Sequence, residues 1–116
     1  MPQATSDQRE TRDEALQAGL KVAIEVPLKT ARAGLAAMQL AQRALAAGNP
    51  ASWSDAAVGC AAANAAVFGG VCNARINLKD IADAGYVAQV RAECRQLSDD
   101  AARVMAEVQR AVDALG

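Results

Sequence analysis

The sequence predicts an all-α fold: an up-and-down bundle of three long helices, the first kinked near Pro27 and the central one a buried rod rich in alanine and glycine. Three observations carry this. Residues 56–72 hold no charged side chain and one amide, Asn64, so a helix there is apolar on almost every side and calls for burial. Long amphipathic runs flank it, with apolar residues at spacings of three, four or seven. No residue pattern suggests a strand, a repeat or a low-complexity linker.

Residues 1–12 are polar and read as a frayed tail, with the helical domain over 13–116. From Asp13 to about Ala47, Leu16, Leu20, Ile24, Leu28, Ala31, Leu35, Met38 and Leu45 mark one face, while Lys21, Glu25, Lys29, Arg32, Gln39 and Arg43 fall mostly elsewhere. Pro27 interrupts this run. It removes a backbone donor and crowds the preceding turn, so the helix kinks there, or one helix ends and another begins. Gly48, Asn49 and Pro50 form a stop, glycine supplying the left-handed closing residue and proline preventing continuation.

The central rod should start at once. Ser52 fits the N-cap, with Asp55 three residues on able to reach back to the cap's amide, and Ser54 is an alternative cap. Its filling of Ala, Gly, Cys and Val lets neighbouring backbones come close. The rod should end near Asp80, which can cap a third helix running from about Asp83 to Leu115. There Val87, Val90, Cys94, Leu97, Ala101, Val104, Val108, Ala111 and Leu115 alternate in threes and fours, the seam of a left-handed bundle. The opposite face mixes Arg91, Glu93, Arg95, Asp99, Arg103, Glu107, Arg110 and Asp113, a solvated surface. Two amphipathic helices cannot enclose a third completely, so one face of the rod should be left for another chain or another segment.

Composition narrows the function. A chain of 116 residues makes one domain at most, and its net charge of −1 gives no clustered basic face for nucleic acid or an anionic membrane. The absence of histidine removes imidazole metal sites and His-dependent triads. Cys60, Cys72 and Cys94 form no CxxC pair, and Cys60 and Cys72 would stand about 18 Å apart along one helix, so reduced thiols in a cytoplasmic protein are expected. The start shows no secretory signal. The rod has apolar length near the lower limit for a bilayer span, but its alanines carry little transfer free energy and Asn64 sits in its middle, so a soluble bundle is expected rather than a membrane helix.

Val26-Pro27-Leu28, Gly48-Asn49, Ser54-Asp55, Val67-Phe68-Gly69 and the run from Asn73 to Ile81 (NARINLKDI) occur in unbroken order, and over about residues 13–97 the chain resembles the second half of the formiminotransferase-cyclodeaminase family. That family includes methenyltetrahydrofolate cyclohydrolases. The resemblance implies an all-helical domain that dimerises and takes a tetrahydrofolate derivative as substrate in a cleft between subunits; with no histidine in the chain, no metal is expected beside it. It also implies an incomplete copy, inactive alone: members begin with a Gly- and Ala-rich helix bearing a Pro-Gly-Gly-Gly-Ser type motif, then a helix with the main catalytic acid, and neither is in these residues. The alternative is a non-catalytic bundle serving only as a self-association or interaction module.

The candidate residues lie at the two ends of the rod. Asp55 reads first as a helix-start carboxylate and second as a group that moves a proton. Asp80 reads as a cap. Asn73 and Asn77 share one helix face and suit either a pterin edge or neighbouring helices, and Asn64 suits a helix-helix hydrogen bond. Arg75 and Lys79 read first as solvated cations near a helix end and second as partners of a folate's glutamate tail. Ser54, Asn73, Asn77, Arg75 and Lys79 are the candidate binding residues, and Asp55 is the candidate catalytic one.

Overall fold

The computed structural model describes residues 5–48 and 51–115. Three helices follow one another: α1 (Ser6–Ala46), α2 (Trp53–Ile76) and α3 (Ala84–Leu115), with a 3-10 turn, Asn77–Asp80, between the last two. Gly34 of α1 meets Ala63 and Val67, while Pro27 and Ala31 meet Gly70, so α1 and α2 run antiparallel. Cys60 lies against Met105, and Arg32 against Glu93, making α3 antiparallel to α2 and parallel to α1. The bundle is therefore up, down and up, drawn out to 72 × 22 × 16 Å.

α1 starts earlier than the frayed tail of residues 1–12 would allow. Thr5 accepts a hydrogen bond from the Gln8 amide, and Gln8 Oε1 accepts one from the Thr5 amide, a reciprocal cap that satisfies two otherwise unpaired donors. Residues 1–4 lie outside the described residues. Residues 5–16 are nevertheless exposed throughout, Leu16 included, so this stretch of helix overhangs the bundle. α1 then runs unbroken through Pro27, which rules out two separate helices there. It ends at Gly48, whose φ of +78° is the left-handed closing conformation expected; Asn49 and Pro50 lie outside the described residues.

The close approach of α1 and α2 depends on glycine at two points. A Cβ on Gly70 would stand 2.5 Å from the Pro27 carbonyl oxygen and 2.9 Å from Ala31 Cβ, and one on Gly34 would stand 3.0 Å from the Ala63 carbonyl oxygen. Around these contacts pack Ile24, Leu28, Ala31, Met38, Cys60, Val67, Val71 and Ala74, closed over by the α3 seam of Val90, Cys94, Leu97, Ala101, Val104 and Val108. Leu115, expected on that seam, is exposed.

Three details of the α2 ends differ from expectation. Ser52 is the N-cap residue, but its side chain makes no capping bond, and the Ala56 amide bonds the Ser52 carbonyl instead. Asp80 lies in the 3-10 turn, and Asp83 caps α3 by accepting from the Tyr86 amide at 3.0 Å. Both aspartates suit a cap by type, and the intervening 3-10 turn moves the start of α3 onward. Gln17 stitches this bend to α1: its Nε2 donates to the Asp80 carbonyl, and its Oε1 accepts from the Ala82 amide.

Candidate functional site

The six candidate residues sit where the helices place them, at opposite ends of α2. Ser54 and Asp55 are exposed in its first turn. Asn73 and Arg75 are exposed in its last turn, and Asn77 and Lys79 follow in the 3-10 turn. At about 1.5 Å per residue, Asp55 and Asn73 are roughly 27 Å apart, so one protomer does not assemble them into a site. Only the second group converges locally: Asn77 Nδ2 donates to the Asn73 carbonyl at 2.9 Å, which fixes that amide and leaves its oxygen as an acceptor.

Between these ends, α2 has two unlike sides. Cys60, Val67, Gly70, Val71 and Ala74 are buried. The opposite side is the leftover face expected of a rod with two partners, and it is wide: Val58 is 69% exposed, Phe68 72% and Ile76 65%, with Ala61, Ala62, Ala65 and Cys72 exposed between them. The expected burial of the rod therefore holds along one side only. By length and composition, Trp53–Asp80 is also apolar enough to cross a membrane, a standard that the core helices of soluble proteins meet as well.

Asn64 is half-buried and, among the described residues, makes no side-chain hydrogen bond, contrary to the helix-helix bond expected of it. It lines a shallow groove of about 220 Å³ between α2 and α3 with Val67, Phe68, Ser98, Ala101 and Ala102. Ser98 did not stand out in the sequence, because its place opposite Asn64 depends on the antiparallel register of two helices. A second cleft, of about 100 Å³ between α1 and α3, is closed by charge: Arg32 donates to Glu25 at 2.6 Å and to Glu93 at 2.8 Å. Those two carboxylates hold its guanidinium proton more tightly than usual. Beside it, Lys21 bonds Asp83 at 3.1 Å and stands 4.8 Å from the centre of the Tyr86 ring. The Tyr86 amide and then Lys21 lower the Asp83 carboxyl below its usual range. These groups tie α1 to α3 and satisfy one another.

Burial pushes the Cys60 and Cys94 thiols up, so both are poor nucleophiles, whereas Cys72 is exposed. Among the described residues no group of three or more His, Cys, Asp or Glu side chains could hold a metal ion.

The family model for Formiminotransferase-cyclodeaminase matches residues 1–96, which takes in α1, α2, the 3-10 turn and the first part of α3. The chain belongs to that family. Similar curated relatives are the formimidoyltransferase-cyclodeaminases of Sus scrofa (37% identical over 101 residues), Gallus gallus (37% over 105) and Rattus norvegicus (35% over 101). Each match covers 87% of this chain and 19% of the relative, so the chain spans about a fifth of the length of these formimidoyltransferase-cyclodeaminases. The match also reaches further forward than the residues that carried the resemblance, taking in the capped start of α1.

Proposed function

We propose that this chain supplies part of a folate-handling site in one-carbon metabolism, of the formiminotetrahydrofolate cyclodeaminase or methenyltetrahydrofolate cyclohydrolase type, in a cytoplasmic homodimer. The observation that carries the reading is the family match over residues 1–96, which includes all six candidates. One reaction closes formiminotetrahydrofolate to the methenyl compound with loss of ammonia. The other adds water to the methenyl carbon and opens the ring. Both pass through a tetrahedral carbon beside a delocalised cation, where a carboxylate stabilises charge and moves a proton.

In this reading Asp55 is the carboxylate this chain offers, and the principal acid comes from outside these residues. Asn73 and Asn77 bond the pterin edge, the fixed Asn77 amide acting through its oxygen. Arg75 and Lys79 meet the glutamate tail, and Ser54 offers a hydroxyl beside Asp55. The separation of Asp55 from the asparagines supports a site shared between chains. The rival reading, a bundle used only for association, is favoured by the exposed side of α2.

Binding of methenyltetrahydrofolate and its loss of absorbance should be followed for the chain alone and for a form extended at its amino end. The expected result is binding in both, with turnover only in the extended form. Turnover by the 116-residue chain overturns the division of labour proposed here. Neither binding nor turnover in two helical, folded samples overturns the folate reading and leaves the association module.

A further inference from the structure

We propose that Gln17, which lies outside the six candidates, is a positioning residue for Asn77 and Lys79: it fixes where the 3-10 turn stands and so sets the strength of folate binding without touching the folate. This role rests on the folate reading above, whereas the contacts behind it belong to the bundle itself.

The turn depends on support from outside. Asn77–Asp80 is four residues long, a short 3-10 segment has few bonds of its own, and residues 81–83 belong to no helix. Leu78 and Ile81, 3% and 9% exposed, hold its inner side to the core. Ile81 is extended, with φ −85° and ψ 123°, which turns the Asp80 carbonyl and the Ala82 amide to the same side of the chain. Gln17 meets both: its Nε2 donates to that carbonyl at 3.0 Å, and its Oε1 accepts from that amide at 2.9 Å. Lys21, one turn further along α1, acts later, at Asp83 and the start of α3. Gln17 is therefore the α1 side chain bonded closest to the turn.

Its place on α1 agrees. Residues 5–16 are exposed throughout, and Gln17 is the first half-buried residue of the helix, the point where the overhang meets the bundle. On the turn, Lys79 stands between Leu78, held by the core, and Asp80, held by Gln17, which leaves its side chain alone to adjust to an anion. Asn77 is half-buried and bonded to the Asn73 carbonyl. Donors and acceptors held in place meet a ligand without first having to be ordered, and loss of that order shows as weaker binding.

The test measures methenyltetrahydrofolate binding and amide hydrogen exchange on the 116-residue chain. Q17L, close to glutamine in size and without its polar atoms, should speed exchange of the Ala82 amide by about tenfold or more and leave that of Val67, in mid-helix, unchanged. It should weaken binding by about tenfold, the size of one lost hydrogen bond. Q17E keeps the acceptor for Ala82, gives up the donor for Asp80 and should fall between. V108A truncates the core about 36 Å along α3 from the turn and should lower stability while leaving binding intact, which separates position from general loosening. Because Gln17 acts through the turn, Q17L should cost less than about threefold in a chain that already carries N77A. Unmodified affinity in Q17L, a matching loss in V108A, or equal losses from Q17L with and without N77A overturns this role and leaves the folate reading standing. An unchanged Ala82 amide in Q17L overturns the contact on which the role is built. An unsubstituted chain that binds no folate overturns the folate reading, and this role with it, whatever the exchange shows.

Discussion

Away from its ends, α2 has nearly the same apolar composition on its two sides and opposite circumstances. On the inner side Cys60, Val67, Gly70, Val71 and Ala74 are buried against α1 and α3, and on the outer side Val58, Phe68 and Ile76 stand clear of the protein. Gly70 touches the Pro27 carbonyl, while Gly59 and Gly69 face open space. Apolar filling thus shows that a helix needs cover without showing where the cover comes from. What separates the sides is the match of each position to a neighbouring backbone.

Glycine substitution should break the comparison most sharply. G70A places a methyl within 2.5 Å of a carbonyl oxygen in the tightest part of the bundle and should cost at least about 2 kcal/mol in urea unfolding. G59A, which meets nothing, should raise helix stability by up to about 1 kcal/mol in the same assay. Equal losses from both would show that the outer side is already packed in the protomer.

Truncating neighbours along the helix gives a smaller contrast. V67A removes two methyls from a site 2% exposed and should cost about 2 kcal/mol. F68A should change protomer unfolding by less than about 0.5 kcal/mol, read at a dilution where the chain is monomeric.

Thiol chemistry gives the finest distinction. Of the three cysteines only Cys72 should react at once with a thiol reagent at neutral pH, with Cys60 and Cys94 waiting on opening of the bundle. Because burial raises both inner thiols above their ordinary value of 9.0, the folded state holds those protons after the unfolded chain has released them. Their contribution to stability is fully present below the unfolded value and is lost as pH rises from there through the folded one, so C60S with C94S should flatten the alkaline limb of the unfolding profile.

The α3 seam was legible because strict alternation of threes and fours leaves one phase for burial, and Val90 to Val108 follow it. The start of α1 was not read in advance, since a polar stretch carries no apolar phase; the cue was local, Thr5 with Gln8 three residues on. Asp80 was expected to cap α3, and the cap falls on Asp83 because the 3-10 turn, which no apolar phase announces, carries the start of α3 onward. The candidate residues were chosen by type at the ends of one helix, and the structure places them at those ends. The geometry of a site was not legible, because a helix fixes the distance between its own ends and only a second body can shorten it.

Gln17 spans the corner where the chain leaves α2, one side chain giving and receiving what a peptide group would. A primary amide gains and loses no proton in the range where proteins stay folded. Beside it, the Lys21–Asp83 tie loosens as acid neutralises the carboxylate, which its partners hold charged to a lower pH than usual. The corner is thus fastened twice, by one clasp indifferent to acidity and one that yields to it, and α3 keeps its anchorage when the second lets go.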